Sequence, residues 1–327
     1  MLKLKFLFNN EELANMLLEN WSLPNLELDL FKYYRISSNA IYPFRTDGQT
    51  QFLRYSPKEE KCKDHLFAEL DFISFLRAKK FGVLEASVSK ENQKLVSVET
   101  PWGDYYASVF RRVDGVQLDK TEASDKIIFS YGKSLGKLHR LSSDYAPKTF
   151  KRWTYYDVFN WIEQTLEKFP HEKAAQHETV LLRSLFNTIA ITEKNYGLIH
   201  YDFEYDNIFY DKATNTCNVI DFDDSMYHLY VMDVEKALES MIDYIPTDQV
   251  QHKKNCFLDG YRSEFEIEND MLQLMPLCRR FANLYGYVRV LRAIDEKWNH
   301  EPQWMAELRM NLTNFLESTA SGFGKVL

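Results

Sequence analysis

GLIHYDFEYDNIFYDKATNTCNVIDFDDS, residues 197–225, is the most informative segment of this 327-residue chain. Apolar residues precede and follow its polar groups, and the sequence ATNT separates two β-rich halves. Turn-forming residues between such halves predict a β-hairpin. Because a hairpin is rigid, we expect the polar side chains at its ends to be held in defined positions, as chemistry requires.

Two motifs in this segment have the spacing found in kinases. His200, Asp202 and Asn207 form the pattern H-x-D-x-x-x-x-N, and Asp221 follows in the tripeptide I-D-F, fourteen residues after Asn207. Phosphoryl transfer needs a carboxylate that orients the attacking hydroxyl and accepts its proton, and it needs oxygen ligands for magnesium. We predict that Asp202 is this carboxylate and that Asn207 and Asp221 are the metal ligands. Either aspartate alone would more often be a turn former or a solvated charge.

Three further charged or titratable residues of this segment are predicted to have no direct chemical role. We expect His200 to hold the loop through hydrogen bonds rather than to carry a proton. Glu204 and Asp206 have no required function in the motif, so we expect them to be solvated loop charges.

The first 112 residues have the pattern of a β-rich lobe with one helix. Strand-like runs between Leu28 and Ser56 are joined by Asp47-Gly48, which is a strong hairpin signal. The sequence from Ser56 to Glu59 matches a capping box with proline at the first helical position, and Gly82 is expected to end the helix. Further strands are predicted in KLVSVET and YYASVFRRV. Residues 1–112 are therefore predicted to form an antiparallel sheet plus one helix.

Residues 113–327 are predicted to form a larger, α-helical lobe. Segments with helical periodicity follow Asp114-Gly115 and continue almost to the C terminus, interrupted by the hairpin of residues 197–225. The predicted fold class is α+β, with two lobes and the polar hairpin embedded in the helical one.

Composition narrows the possible partners. The formal net charge of -8 comes from well-mixed charged residues, 27% of the chain, so no basic stripe is present to bind nucleic acid. No apolar run is long enough to cross a bilayer, and the first residues turn acidic before a signal-peptide core develops. We predict a cytoplasmic protein with neither nucleic acid nor membrane as a partner. The cysteines contain no C-x-x-C pair and are predicted to be buried thiols: Cys62, Cys217, Cys256 and Cys278.

These motifs and their order resemble those of the aminoglycoside phosphotransferase and choline kinase family. GKSLGKLHRLS at residues 132–142 is similar to the family helix that precedes the catalytic loop, and GYR at 260–262 resembles a later helix start. Asp233 resembles the aspartate that steadies the catalytic loop from the next helix, and a helix N-cap is a compatible alternative. The resemblance implies a protein-kinase-like fold and an enzyme that uses ATP, or GTP, with Mg²⁺ to phosphorylate a hydroxyl group of a small molecule.

The resemblance also implies a nucleotide site in the first lobe. Arg54 occupies the position of the basic residue that meets the nucleotide phosphates, and Glu69 on the following helix is its expected partner. Phe110 and Arg112 belong to residues 109–113, which resemble the hinge that pairs with adenine. Without the resemblance, Arg54 and Glu69 would be ordinary surface charges.

One feature departs from the kinase pattern. The loop at residues 36–40 reads ISSNA and contains no glycine, so the phosphate-binding pattern G-x-G-x-x-G is absent. Ser38 and Asn39 could supply donors to phosphate, but an ordinary turn between strands is an equal alternative.

The acceptor is expected between the hairpin and the helices that follow Asp233. Acidic groups there would suit a cationic acceptor, and aromatic faces could hold a quaternary amine or a sugar ring. For each single residue the alternative is a solvated charge or a core aromatic. The candidates are Tyr201, Tyr205, Asp223 and Asp224, with Tyr227, Glu239 and Tyr285 as further possible lining.

Two other function classes stay open at this point. A protein serine/threonine kinase of the same fold would need an open acceptor groove, and the sequence between Asp221 and the next helix shows no A-P-E element or activation segment. A catalytically silent nucleotide-binding scaffold would be expected to lack Asp202 or a metal ligand, and all three are present. The oligomeric state cannot be predicted from these features.

Overall fold

The computed structural model describes residues 1–325 and shows the predicted α+β fold with two lobes. The first lobe is built on a six-stranded antiparallel sheet with the strand order β1-β2-β3-β6-β4, in which β5 also pairs with β6. Its strands are β1 (Arg35–Ile36), β2 (Ala40–Thr46), β3 (Gln49–Pro57), β4 (Glu85–Ser87), β5 (Val96–Thr100) and β6 (Gly103–Arg111).

Two helices cover the faces of this sheet. Helix α1 (Glu11–Leu18) packs on the face that carries Leu53 and Val109, and α2 (Lys63–Ala78) belongs to the core on the other face, with Phe110. The alternation follows from the two-residue period of side chains along a strand. The α2 face of the sheet is the one that meets the second lobe.

The predicted start and end of α2 are wrong. Ser56 and Pro57 continue β3, because they pair with Tyr106 and Tyr105 across the sheet, and the helix begins only at Lys63. A cross-strand ladder has outweighed a local capping signal. The helix also ends before Gly82, which instead allows a close approach to the hairpin: a Cβ at Gly82 would lie 2.8 Å from the Cys217 carbonyl oxygen.

The second lobe consists mainly of helices that surround short strands. The helices are α3 (Asp125–Ser143), α4 (Tyr155–Leu166), α5 (Lys173–Phe186), α6 (Val231–Ile242), α7 (Val250–Arg262), α8 (Asn269–Leu272), α9 (Met275–Ile294) and α10 (Gln303–Ala320). The strands are β7 (Val116–Gln117), β8 (Tyr196–Ile199), β9 (Ile208–Asp211), β10 (Thr216–Val219) and β11 (Met226–Leu229).

Strands β9 and β10 form the predicted hairpin. They are antiparallel, with Ile208 opposite Val219, while β8 pairs with β11 beside them. The Val219 amide donates to the Gly82 carbonyl oxygen at 2.9 Å, and the Leu84 amide donates to the Val219 carbonyl oxygen at 3.3 Å. The hairpin is therefore bonded directly to the first lobe, at the bottom of the cleft.

Helices α3 and α7 pack backbone against backbone at glycines. A Cβ at Gly132 would lie 1.9 Å from the Phe257 carbonyl oxygen, and a Cβ at Gly136 would lie 2.3 Å from that of Tyr261. Only glycine permits this distance. The contact explains the glycines of GKSLGKLHRLS physically, because it brings the middle of α3 against α7.

Within residues 1–325, each helix is too short or too polar to span a membrane. Cys217 and Cys278 are buried as predicted and Cys256 is partly buried, but Cys62 is exposed because it occupies the N-cap position of α2, outside the core.

Candidate active site

Asp202 and Asn207 lie on the loop between β8 and β9, and both face the cleft between the lobes. The Asn207 amide nitrogen donates at 3.0 Å to the backbone oxygen of Asp202 and at 3.0 Å to its carboxylate. Because the amide nitrogen is used in this way, the amide oxygen of Asn207 remains available for a cation. The two predicted residues are thus held as one unit.

Asp221 reaches the same cleft from the end of β10. Its backbone has a φ of 63°, in the left-handed region that is uncommon for residues other than glycine. The neighbouring Ile220 amide donates to the Asn207 carbonyl oxygen at 3.0 Å, which fixes this segment against the catalytic loop. An unusual backbone conformation over-determined by its surroundings is typical of functional sites.

His200 connects the loop that carries Asp202 to the segment that carries Asp221. Its Nε2 lies 2.9 Å from the carbonyl oxygen of Ile220, and its Nδ1 accepts the amide hydrogen of Asp202 at 3.2 Å. These partners require a neutral ring with the proton on Nε2, and burial lowers the pKa of His200, although Asp233 opposes the effect. This geometry suits support of the loop, as the sequence predicts.

Asp233 holds the catalytic loop through two backbone amides. Its carboxylate accepts hydrogen bonds from the His200 amide at 2.8 Å and from the Tyr201 amide at 2.7 Å. Tyr201 itself has a φ of 70°, so the carboxylate stabilises a second left-handed residue. The N-cap alternative is wrong, because Asp233 is the third residue of α6 and no side-chain cap is present.

His139 and Tyr261 continue this chain of buried groups. His139 Nε2 lies 3.1 Å from the Asp233 carboxylate, and its Nδ1 lies 2.7 Å from the Tyr261 hydroxyl. No role was predicted for either side chain, although both lie in segments that carry the family resemblance. The sequence feature that could have indicated His139 is its place in the leucine-histidine pair of α3.

Tyr261→Phe is expected to lower the free energy of unfolding by about 1–3 kcal/mol, because the buried Nδ1 of His139 would lose its donor. The change can be measured by urea denaturation.

Tyr205→Phe is the matched control. The Tyr205 hydroxyl is buried and has no hydrogen-bond partner among residues 1–325, so its removal should be neutral or slightly stabilising. Equal destabilisation by the two variants would contradict the proposed chain of hydrogen bonds.

Arg54 and Glu69 form the ion pair that the resemblance implies. The guanidinium binds the carboxylate through two hydrogen bonds of 2.7 and 2.8 Å, and the side chains are only 8% and 0% exposed. The Arg54 guanidinium also lies 4.7 Å from the centre of the Phe110 ring. The alternative of two surface charges is excluded, since both groups are buried.

A cavity of about 570 Å³, here called the cleft cavity, lies between the sheet and the hairpin. The predicted metal-binding and catalytic side chains line this cavity, and so do all of the predicted nucleotide-binding residues except Glu69. Glu69 stands behind Arg54, outside the cavity wall. The predicted residues among its lining are Ser38, Asn39, Arg54, Phe110, Arg112, Asp202, Asn207, Asp221, Asp223 and Asp224.

Carboxylates lie close together at the hairpin end of the cleft cavity. Burial, with the charges of Glu204 and Asp224, raises the pKa of Asp202 to about 8. Asp221 is reached by solvent but lies inside the cleft, where loss of bulk water and the charge of Asp223 raise its pKa to about 6. A divalent cation at this place would offset the repulsion.

Asp223 and Asp224 are neutralised by long-range ion pairs. Lys61 Nζ lies 2.5 Å from the Asp223 carboxylate, and Arg289 Nη1 lies 2.7 Å from that of Asp224. Burial alone would raise the pKa of each aspartate, but the surrounding cations together outweigh it and lower the pKa in both cases. These aspartates therefore offer less charge to an acceptor than their sequence suggests.

A second cavity, of about 300 Å³, lies beside the first and is here called the side cavity. Helices α4 and α9 contribute Val158, Trp161 and Tyr285 to its wall, and Trp153 precedes α4. Its lining shares Met1, Ser38, Asp223, Asp224 and Arg289 with the cleft cavity. The two cavities thus meet around the Asp224–Arg289 pair.

The prediction that Tyr201 and Tyr205 bind the phosphoryl acceptor is wrong. Tyr205 is only 1% exposed because its ring packs against Tyr131 and Tyr244, and Tyr201 is 5% exposed and packs against Tyr285. Neither lines either cavity. Of the further possible lining, Tyr285 borders the side cavity, whereas Tyr227 and Glu239 border neither.

The two-lobed fold and the cleft define this chain as a kinase-like phosphotransferase. The chain belongs to the phosphotransferase enzyme family, whose sequence model matches residues 36–262. It is 22% identical to amicoumacin kinase of Bacillus subtilis (strain 168) over 316 residues, which cover 91% of each chain.

Solved structures show the same fold. An amicoumacin kinase in complex with AMP-PNP, Ca²⁺ and Ami has a TM-score of 0.76 at 17% identity, with 97% of this chain and 95% of that chain covered. A microcompartment-associated aminopropanol kinase has a TM-score of 0.70 at 20% identity, with 95% and 96% covered. Spectinomycin phosphotransferase in complex with ADP and spectinomycin has a TM-score of 0.61 at 11% identity, with 96% and 98% covered.

Proposed function

We propose that this protein is an ATP- and Mg²⁺-dependent kinase that phosphorylates a hydroxyl group of a small molecule. The observation that carries the proposal is the convergence of Asp202, Asn207 and Asp221 on one cavity that opens beside a second, smaller one. The kinases and phosphotransferases similar to this chain support it. The requirement for ATP favours a cytoplasmic location.

The nucleotide is assigned to the cleft cavity, with residues 1–112 as the nucleotide-binding lobe and residues 113–327 as the lobe of the catalytic loop and acceptor. Residues 109–113, with Phe110 and Arg112, would border the base, and the Arg54–Glu69 pair would face the phosphates. Adenine is the family default, and the AMP-PNP and ADP complexes of similar structures agree with it.

The residues at the hairpin end fit a magnesium ion. Asp221 and Asn207 both line the cleft cavity, and the amide nitrogen of Asn207 is bonded to Asp202, so a carboxylate and an amide oxygen are available as hard oxygen ligands. The structure of residues 1–325 contains no cluster of three His, Cys, Asp or Glu residues able to hold a metal. Magnesium suits such a site, since it is commonly held by one or two protein oxygens together with phosphate and water, and it would neutralise phosphate charge when bound.

Asp202 is proposed to orient the acceptor hydroxyl. As the acceptor oxygen forms its bond to the terminal phosphorus, the bond from that phosphorus to the bridging oxygen breaks and ADP leaves. The hydroxyl proton passes to the Asp202 carboxylate late in this step. Burial and the neighbouring acidic charges raise the pKa of Asp202, so the ionised carboxylate is a stronger base than that of a solvated aspartate.

The acceptor is assigned to the side cavity. Its aromatic wall of Trp153, Trp161 and Tyr285 would hold a ring or an apolar portion, while its acidic groups are engaged by cations. We therefore favour a compact hydroxylated molecule, without a requirement for multiple positive charges. Amicoumacin, an aminopropanol and spectinomycin are the compounds named for the similar enzymes.

The test is acceptor-dependent consumption of ATP by the purified protein with Mg²⁺. A panel of amino alcohols, amino sugars, choline-like amines and hydroxylated antibiotics should contain a compound that increases ADP release, and mass spectrometry should show one added phosphate. Labelling of protein substrates alone would favour the protein kinase alternative. Nucleotide binding without transfer to either class would favour the silent scaffold.

A further inference from the structure

We propose that Arg289, on α9, contacts the terminal phosphate of the nucleotide and stabilises its charge during transfer. This inference rests on the proposed kinase function and adds a residue to it. In many kinases a glycine-rich loop brings its backbone amides close to the phosphates. The loop at residues 36–40 contains no glycine, so contact with the terminal phosphate requires another group.

Arg289 stands where the two cavities meet. The arginines that line the cleft cavity are Arg35, Arg54, Arg111, Arg112 and Arg289. Within residues 1–325, Arg289 is the one member of this group that also lines the side cavity. A phosphoryl group that leaves a donor in one cavity and joins an acceptor in the other must pass this junction.

The guanidinium is held in place from both lobes. Arg289 Nη1 donates to the Asp224 carboxylate at 2.7 Å, and Nη2 donates to the Ser38 hydroxyl at 3.2 Å. The guanidinium also lies 5.2 Å from the centre of the Tyr285 ring. Within residues 1–325 these contacts use two of its five N–H donors, and we assign the others to phosphate oxygens. The planar fork is therefore oriented before a nucleotide arrives.

Helix α9 leaves space beside this guanidinium. Gly286 lies one turn before Arg289 and also lines the cleft cavity. Apart from the neighbouring residues and backbone of α9 itself, no heavy atom of residues 1–325 lies within 4 Å of the position that a Cβ at Gly286 would take. Residues three apart share a helix face, so the helix presents bare backbone and an arginine side by side to the cavity. This is the room that a phosphate needs next to the cation.

Arg54, a second arginine of the cleft cavity, pairs with a carboxylate that lies outside the cavity wall, whereas Asp224, the partner of Arg289, lies where the two cavities meet. Arg54 uses Nη1 and Nη2 in its two hydrogen bonds to Glu69. During transfer the bond to the bridging oxygen breaks as the acceptor oxygen bonds to phosphorus, and negative charge spreads over the three equatorial oxygens. An arginine supplied by the same chain can stabilise that charge, as in enzymes that carry such a residue in cis.

Arg289→Gln is the direct test, and it uses AMP-PNP and ADP as probes with Mg²⁺. Isothermal titration calorimetry should show that the preference for AMP-PNP over ADP falls by about 10- to 100-fold, because contacts to the terminal phosphate are lost. ADP affinity should stay within about threefold. With an acceptor from the panel, kcat should fall on the order of 100- to 1,000-fold.

Two further variants keep the test independent of folding. Arg289→Lys retains the charge but not the fork, so it should recover part of the AMP-PNP preference. Arg280→Gln removes another α9 arginine, which is 15% exposed and forms a two-bond pair with Glu178 away from both cavities. Its ratio of AMP-PNP to ADP affinity should equal that of the unaltered protein, whatever its melting temperature.

Two outcomes would overturn the assignment of Arg289. One is an Arg289→Gln variant with an unchanged affinity ratio, and the other is a variant that raises only the acceptor KM, which would place Arg289 in acceptor binding. Failure of the unaltered protein to bind either nucleotide would instead reject the proposed kinase function itself.

Discussion

Asp202→Asn should lower kcat by roughly 100- to 10,000-fold, because an amide cannot accept the proton of the acceptor hydroxyl. The affinity for Mg²⁺-nucleotide should change little. An asparagine at this position has the shape of the aspartate, and its amide oxygen can still accept the 3.0 Å hydrogen bond from Asn207. Single-turnover measurements with AMP-PNP binding as the companion assay separate the two effects.

Asp211→Asn is the control for this variant. Asp211 ends β9 on the same hairpin and lines neither cavity, so the same chemical change there should leave transfer unaltered. Full phosphate transfer by Asp202→Asn would refute the assignment of Asp202 as the proton acceptor. Loss of nucleotide affinity in that variant would show that the carboxylate acts in binding instead.

Asp221→Ala should abolish the metal dependence of nucleotide binding. A bound metal contributes several kcal/mol of charge stabilisation in phosphoryl transfer, so its loss is expected to lower kcat/KM on the order of 1,000-fold. The measurement is a titration of AMP-PNP with and without Mg²⁺. The unaltered protein should bind more tightly with the metal, and the variant should show equal affinities.

Removal of the metal from the unaltered protein provides an independent comparison. Excess EDTA should reduce its nucleotide affinity to that of Asp221→Ala, and added Mg²⁺ should restore the unaltered protein alone. The metal assignment fails if Asp221→Ala still binds nucleotide more tightly in Mg²⁺. Asn207→Ala is expected to give a smaller version of the same effect, since it removes a neutral ligand.

Local patterns were sufficient for the parts of the molecule that local physics controls. The hairpin of β9 and β10 was predictable because apolar strands and the turn ATNT specify it within a few residues. The pattern around Asp202 and Asn207 was equally readable. Both residues occupy one short loop, where backbone geometry alone keeps them close.

Errors arose where a distant part of the chain competes with a local signal. The capping box at Ser56 was overridden by pairing with Tyr106, fifty residues later. Tyr205 has the sequence setting of a site residue, yet Tyr131 and Tyr244 enclose its ring. Such partners cannot be predicted from the neighbouring sequence, because tertiary packing determines which distant residues come into contact.

The sequence by itself determined which residues of the hairpin segment can bind metal and accept a proton. The ionisation of the aspartates at the end of the hairpin was decided only by the tertiary structure. Asp223 meets Lys61, 162 positions away, and Asp224 meets Arg289, 65 positions away. The pKa of a carboxylate follows from its burial and from the charges beside it. Lys61 and Arg289 reach these aspartates only when the helices and the sheet pack around the cleft. The motif alone therefore does not predict these ion pairs.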